Sequence, residues 1–144
     1  MIMPELVARY SGIPFESFVS SRLLAPLGMT RSTYNYTLAR DAGLAHGFLP
    51  SGRRVPNLYA YPALAHLMGG AGGLMASAAD LAKWAAFLLG DGRAEGMPAA
   101  RQAIAECMRP HALIPPADPA GSPDTTTYGM GWGQLRYKGQ RVSA

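Results

Sequence analysis

Disulfides are the first thing this sequence lacks. Its 144 residues hold one cysteine, Cys107, which can make no internal bridge and has no Cys or close His neighbour at metal-ligand spacing. Charge is also scarce, at 15% Asp, Glu, Lys and Arg against roughly 25% in soluble domains. The 13 Lys and Arg exceed the 9 Asp and Glu by a formal +4, too mild an excess for a basic field, so nucleic acid is not an expected partner. No apolar run approaches the ~18 residues of a membrane span, and Met1 to Leu6 lacks the basic and apolar regions of a secretory signal. Hydrophobic content, at 49%, is enough for the core of one domain, which excludes disorder. What is abundant is Gly and Pro, 17 and 12 residues, which predicts a chain broken by many turns.

Local patterns place the elements. Pro4 to Tyr10 reads as helix closed by Ser11-Gly12, where glycine suits a left-handed C-terminal position. Pro14 opens a second helix, with Phe15, Phe18, Val19 and Leu23 as its apolar stripe, stopping near Ala25 to Met29. Residues 30–70 hold no sustained period; Ser51 to Arg54 reads as a turn and Asn57 to Leu67 as an aromatic, apolar loop. After Gly69-Gly70-Ala71-Gly72-Gly73, the run Ser77-Ala78-Ala79-Asp80 has the form of a capping box. Leu81, Trp84, Ala85 and Leu88 then predict the buried face of a helix that Gly90-Asp91-Gly92 ends. A further helix is expected from Pro98 through Met108. Pro110 to Pro123, with five prolines, reads as an extended linker. Tyr128 to Tyr137 predicts one strand, Lys138 to Gln140 a turn, and Arg141-Val142 the start of a partner strand. The predicted organisation is a helical part over 1–109, a linker over 110–126 and the start of a hairpin over 127–144. A chain that opens within a helix and closes within a hairpin is expected to be a fragment.

Sites of chemistry are few. No Ser is followed by Lys three residues later, and there is no G-x-S-x-G elbow, phosphate loop or H-E-x-x-H. His46, His66 and His111 are widely separated and lack clustered acids, so no metal site is expected. Asp80 resembles a general base, but the capping box already employs it. Tyr34, Tyr36, Tyr59 and Tyr61 read as covers for a core edge. Arg53-Arg54 and Arg136, Lys138 and Arg141 read as solvated charges.

Taken in order, Ser11-Gly12-Ile13-Pro14-Phe15, Ala25-Pro26-Leu27-Gly28-Met29-Thr30-Arg31-Ser32-Thr33, Gly72 to Trp84 and Tyr128-Gly129-Met130-Gly131-Trp132 resemble successive stretches of the serine β-lactamase-like family. That family includes class C β-lactamases, penicillin-binding carboxypeptidases and related esterases. The resemblance implies an α/β (α+β) fold of the β-lactamase/transpeptidase type, present as its mainly helical middle portion plus the start of an antiparallel hairpin. It also implies hydrolysis of small-molecule amides or esters through an acyl-enzyme, with no cofactor. The family's S-x-x-K, Tyr-x-Asn and Lys/His-x-Gly motifs have no counterpart in these residues, so no catalytic residue is assigned. By position in the resemblance, Ala71, Gly72 and Gly73 would line the substrate cleft. The alternatives are a non-catalytic binding or scaffold protein derived from that fold, and an unrelated small helical domain. Exposed strand edges are expected to favour association.

Overall fold

The computed structural model describes residues 2–57, 60–61, 69–114 and 126–143. They fall in two compact units, Met1–Ala86 and Phe87–Ala144. The first opens with α1 (Ile2–Ser11), ended as its sequence predicts: Gly12 adopts φ 75° and its N–H bonds the Ala8 carbonyl at 2.9 Å.

The next helix is less regular than its apolar stripe implies. It runs as α2 over Phe15–Val19 and then widens into a π-helical turn over Ser20–Leu24, where the Ala25 N–H reaches back five residues to Ser20. The wider turn carries an extra residue and shifts the register of the residues after it. Leu24 is consequently buried at 4% exposure, while Leu23, the residue on the predicted stripe, is only half-buried. Met29, closing the segment, joins Leu24 in the core.

Residues 30–57 contain more order than the missing periodicity suggests. The Asn35 side chain accepts from the N–H groups of Thr37 and Leu38, capping α3 (Tyr36–Asp41). Strands β1 (Gly47–Phe48) and β2 (Arg54–Val55) form a short antiparallel hairpin across the expected turn, with Gly52 at φ 78°. Most of the predicted aromatic loop, including Tyr59, lies outside the described residues. A single 3-10 turn covers Gly69–Ala71.

Helix α4 (Ala78–Leu89) ends as its glycines predict, with Gly92 at φ 70° bonding the Phe87 carbonyl. Its buried face, however, is rotated from the one expected. Asp80 and Phe87 are buried, Trp84 and Leu88 half-buried, while Leu81 is 52% exposed and Ala85 is exposed as well. Positions 80, 84, 87 and 88 lie on one helical face, so a carboxylate heads a stripe that hydrophobicity alone would start one residue later.

In the second unit α5 (Ala100–Cys107) matches the expected helix. It leads into an antiparallel sheet of order β3 (Ala112–Ile114), β4 (Thr126–Tyr128), β5 (Gly133–Tyr137) and β6 (Gln140–Ser143). Two expectations are corrected here. The predicted linker contains β3, whose Ala112, Leu113 and Ile114 pair with Tyr128, Thr127 and Thr126; residues 115–125 lie outside the described residues. The single strand expected over Tyr128 to Tyr137 is instead two strands, because Gly129 to Trp132 makes a turn in which Gly131 has φ 82°. Gly129 is required there: a Cβ would run into the Cys107 carbonyl oxygen and lie 2.8 Å from that of Arg109. The turn is tied down by Met130, whose N–H bonds the Cys107 carbonyl, and Gln134, buried, donates to the Met108 carbonyl. The β5–β6 hairpin closes on Lys138 and Gly139, both at positive φ, as a two-residue loop of the mirror-image type requires.

Candidate functional site

The glycine run lies between buried Gly69, where an added Cβ would be 3.7 Å from Glu16 Oε1, and Met75, which exchanges two backbone hydrogen bonds of 2.8 and 2.9 Å with Thr33. Between them Gly73 is buried so close to Gly69 that an added Cβ would lie 2.9 Å from the Gly69 Cα and 3.4 Å from Tyr34 Cδ1. Ala71 and Gly72 are exposed, and Gly72 has φ 148°. Of the three residues expected to line a cleft, two therefore present almost bare backbone at the surface, and the third is the packing contact beneath them.

Tyr34 is the side chain that supports this segment. Its ring meets Phe15 edge-on at 5.7 Å. Burial raises the pKa of its phenol, and the charge of Glu16 raises it further, so the hydroxyl stays protonated.

Asp80 lies just beyond. Ser77 caps the helix by accepting from the Asp80 N–H at 3.2 Å, which is half of the predicted capping box. The other half does not form. The Asp80 carboxylate turns away from the helix start and accepts from the Arg31 N–H at 2.7 Å, the Ser32 hydroxyl at 2.9 Å and Lys83 Nζ at 2.9 Å. Lys83 also donates to the Gly28 carbonyl. Burial at 1% exposure pushes the carboxyl pKa up, but the hydrogen bonds from Lys83, Ser32 and Arg31 and the Lys83 charge outweigh it, leaving the group below the ordinary carboxylate range. A carboxylate whose pKa is lowered is a weaker proton acceptor than an ordinary one. Ser32 donates its hydroxyl proton to this carboxylate in a hydrogen bond of 2.9 Å. The network anchors the Gly28 to Thr33 segment to α4. Nothing local to Asp80 announces partners about fifty residues away.

Among the described residues, which do not include His66, the remaining sequence candidates do not assemble into a site. His46 Nδ1 lies 2.8 Å from an Arg54 guanidinium nitrogen across the β1–β2 hairpin, and His111 lies 3.5 Å from Glu106 in the other unit. No group of three or more His, Cys, Asp or Glu among the described residues is placed to hold a metal ion. No described helix is long and apolar enough to cross a membrane.

The family model for beta-lactamases matches residues 1–143. The chain belongs to the beta-lactamase family. Its fold is that of the β-lactamase/transpeptidase group, mixed helix and antiparallel sheet. It matches the octameric penicillin-binding protein homologue from Pyrococcus abyssi at a TM-score of 0.73 and 22% identity over 97% of this chain and 30% of that one. The beta-lactamase/D-alanine carboxypeptidase from Pseudomonas syringae matches at 0.68 and 18% identity, over 95% of this chain and 34% of that one. This beta-lactamase-family chain thus spans about a third of the length of these two structures. A search of curated proteins finds no match.

Proposed function

We propose that this chain is the helical and hairpin portion of a serine hydrolase that opens small amide or ester bonds through an acyl-enzyme, with nucleophile and base carried on residues outside these 144. The observation that carries this reading is the family match over nearly the whole chain, combined with a sequence holding neither S-x-x-K nor Tyr-x-Asn. The hydrogen bond that commits the Ser32 hydroxyl to Asp80, whose pKa is lowered by its donors, supports it, since a nucleophilic serine needs a base able to take its proton. In this reading Ala71 and Gly72, with Gly73 packed beneath, form one wall of the substrate cleft, where the lack of side chains leaves room for a bulky acyl group.

The experiment is incubation of the 144-residue chain with a chromogenic cephalosporin and a p-nitrophenyl ester, followed by mass spectrometry and amide chemical-shift mapping. Expected are no turnover above buffer, no covalent adduct, and cephalosporin-induced shifts centred on residues 71–73. Burst kinetics with an adduct on Ser32 or Ser77 would overturn the placement of the nucleophile. Shifts centred elsewhere would remove the cleft-wall role.

A further inference from the structure

In the first unit a cavity of about 600 Å3 opens between α3 and the segments on either side of the Thr33–Met75 bridge. That volume lies within the range of small-molecule sites, roughly 300–1,000 Å3. Neither Ala71, Gly72 nor Gly73 lines it, so it is separate from the proposed cleft wall.

Its chemistry is one-sided. Leu38, Leu44 and Met75, with small residues between them, make its apolar lining, and Arg31 and the hydroxyl residues Thr30, Thr33 and Ser77 are among its polar lining. Thr33 Oγ1 accepts from the Asn35 N–H and Ser77 Oγ from the Asp80 N–H, so each hydroxyl keeps its own proton to donate. Among the described residues no Asp or Glu lines the cavity. Asp80, the nearby acid, has both carboxylate oxygens occupied by Arg31 N–H, Ser32 and Lys83, and among the described residues no carboxylate pairs with the Arg31 guanidinium. The backbone of Arg31 is nevertheless held in place by Asp80, which fixes the base of that side chain.

We propose that this cavity binds a small carboxylate with an apolar tail, its head group on Arg31 and the neighbouring hydroxyls and its tail against Leu38, Leu44 and Met75. A planar guanidinium matches a carboxylate with two parallel hydrogen bonds, and donors without a competing acid select an anion. A single cation and an apolar wall favour a monoanion with a tail over a bare inorganic anion.

The test uses calorimetric titration of the 144-residue chain at neutral pH and constant ionic strength with hexanoate, its uncharged analogue hexanamide, and acetate. Expected is hexanoate binding about tenfold or more tighter than either. Arg31→Gln, at an exposed position, abolishes the preference for hexanoate over hexanamide. Ala42→Phe, also exposed on the cavity lining, weakens both six-carbon ligands together. Equal binding of hexanoate and hexanamide by the unaltered chain overturns the head-group assignment, and equal binding of hexanoate and acetate overturns the tail. A folded Arg31→Gln chain that keeps the full preference overturns the site.

Discussion

The Ser32 hydroxyl donates at 2.9 Å to the buried carboxylate of Asp80, 48 positions further along the chain. Together with the Arg31 N–H on the same oxygen, this bond fastens an irregular segment to the start of a helix. It also converts an acid that looks like part of a capping box into a tertiary anchor.

Replacing Asp80 by Ala leaves the Arg31 N–H and the Ser32 hydroxyl without their acceptor, so Tm is expected to fall on the order of 5 °C or more. Ser32→Ala removes one of several bonds to the carboxylate and costs about 1 kcal/mol. Thermal unfolding followed by circular dichroism measures both. An Asp80→Ala chain as stable as the parent would show that the network contributes nothing.

Acid behaviour follows from the same group. The folded pKa of Asp80 lies below its ordinary 3.8, so its stabilisation is complete above that value and is lost as pH falls from 3.8 through the lower folded value. Denaturant titrations across pH 5 to 2 should show this loss in the parent chain and a smaller one in Asp80→Asn.

Tyr34 titrates in the opposite range. Burial and then the Glu16 charge raise its folded pKa above 10.0, so stability is full below pH 10.0 and declines as pH rises toward the folded value. In Tyr34→Phe that alkaline decline should shrink, as read by unfolding midpoints between pH 9 and 11.

The two faces of α4 give a direct contrast. Leu81→Lys, on the side that hydrophobic periodicity selects, is expected to change stability by less than about 0.5 kcal/mol. Phe87→Ala, at a position 6% exposed, should cost roughly 3–5 kcal/mol. Reversal of that order in urea unfolding would restore the face beginning at Leu81.

Glycine substitutions discriminate close approach from ordinary turns. Gly73→Ala forces its Cβ against the Gly69 backbone and is expected to cost about 1–3 kcal/mol, and Gly129→Ala, facing two carbonyl oxygens, to cost more. Gly47→Ala meets only Val55 Cβ at 3.7 Å and should be tolerated. Circular dichroism melts of the three variants rank them.

The elements legible in sequence were those whose signals are local. Gly12 and Gly92 stop their helices because the chain reverses there through positive φ, which glycine alone adopts freely. Ser77 caps α4, and Lys138-Gly139 turns the last hairpin, for similarly short-range reasons. The ordered series of stretches from Ser11 to Trp132 was enough to point to the family. The Asn35 cap was available too, as an amide-bearing residue before a short helix, but α3 is too brief for periodicity to mark it.

What required the tertiary structure was every contact between residues distant in sequence. Two of the partners of Asp80, Arg31 and Ser32, lie about fifty positions away, and with them in place α4 turns Asp80 and Phe87 inward while Leu81 faces out. The π turn that buries Leu24 in place of Leu23 likewise shifts the register set by spacing alone. The turn from Gly129 to Trp132 divides a predicted strand, and Gly129 is required there because the Cys107 and Arg109 carbonyls occupy the space a side chain would need. Local propensity and periodicity determine where helices and turns begin and end, since those depend on neighbours along the backbone. Which face is buried and which polar groups are satisfied depend on atoms brought together only by folding, and here those atoms include a carboxylate whose charge had to find its donors.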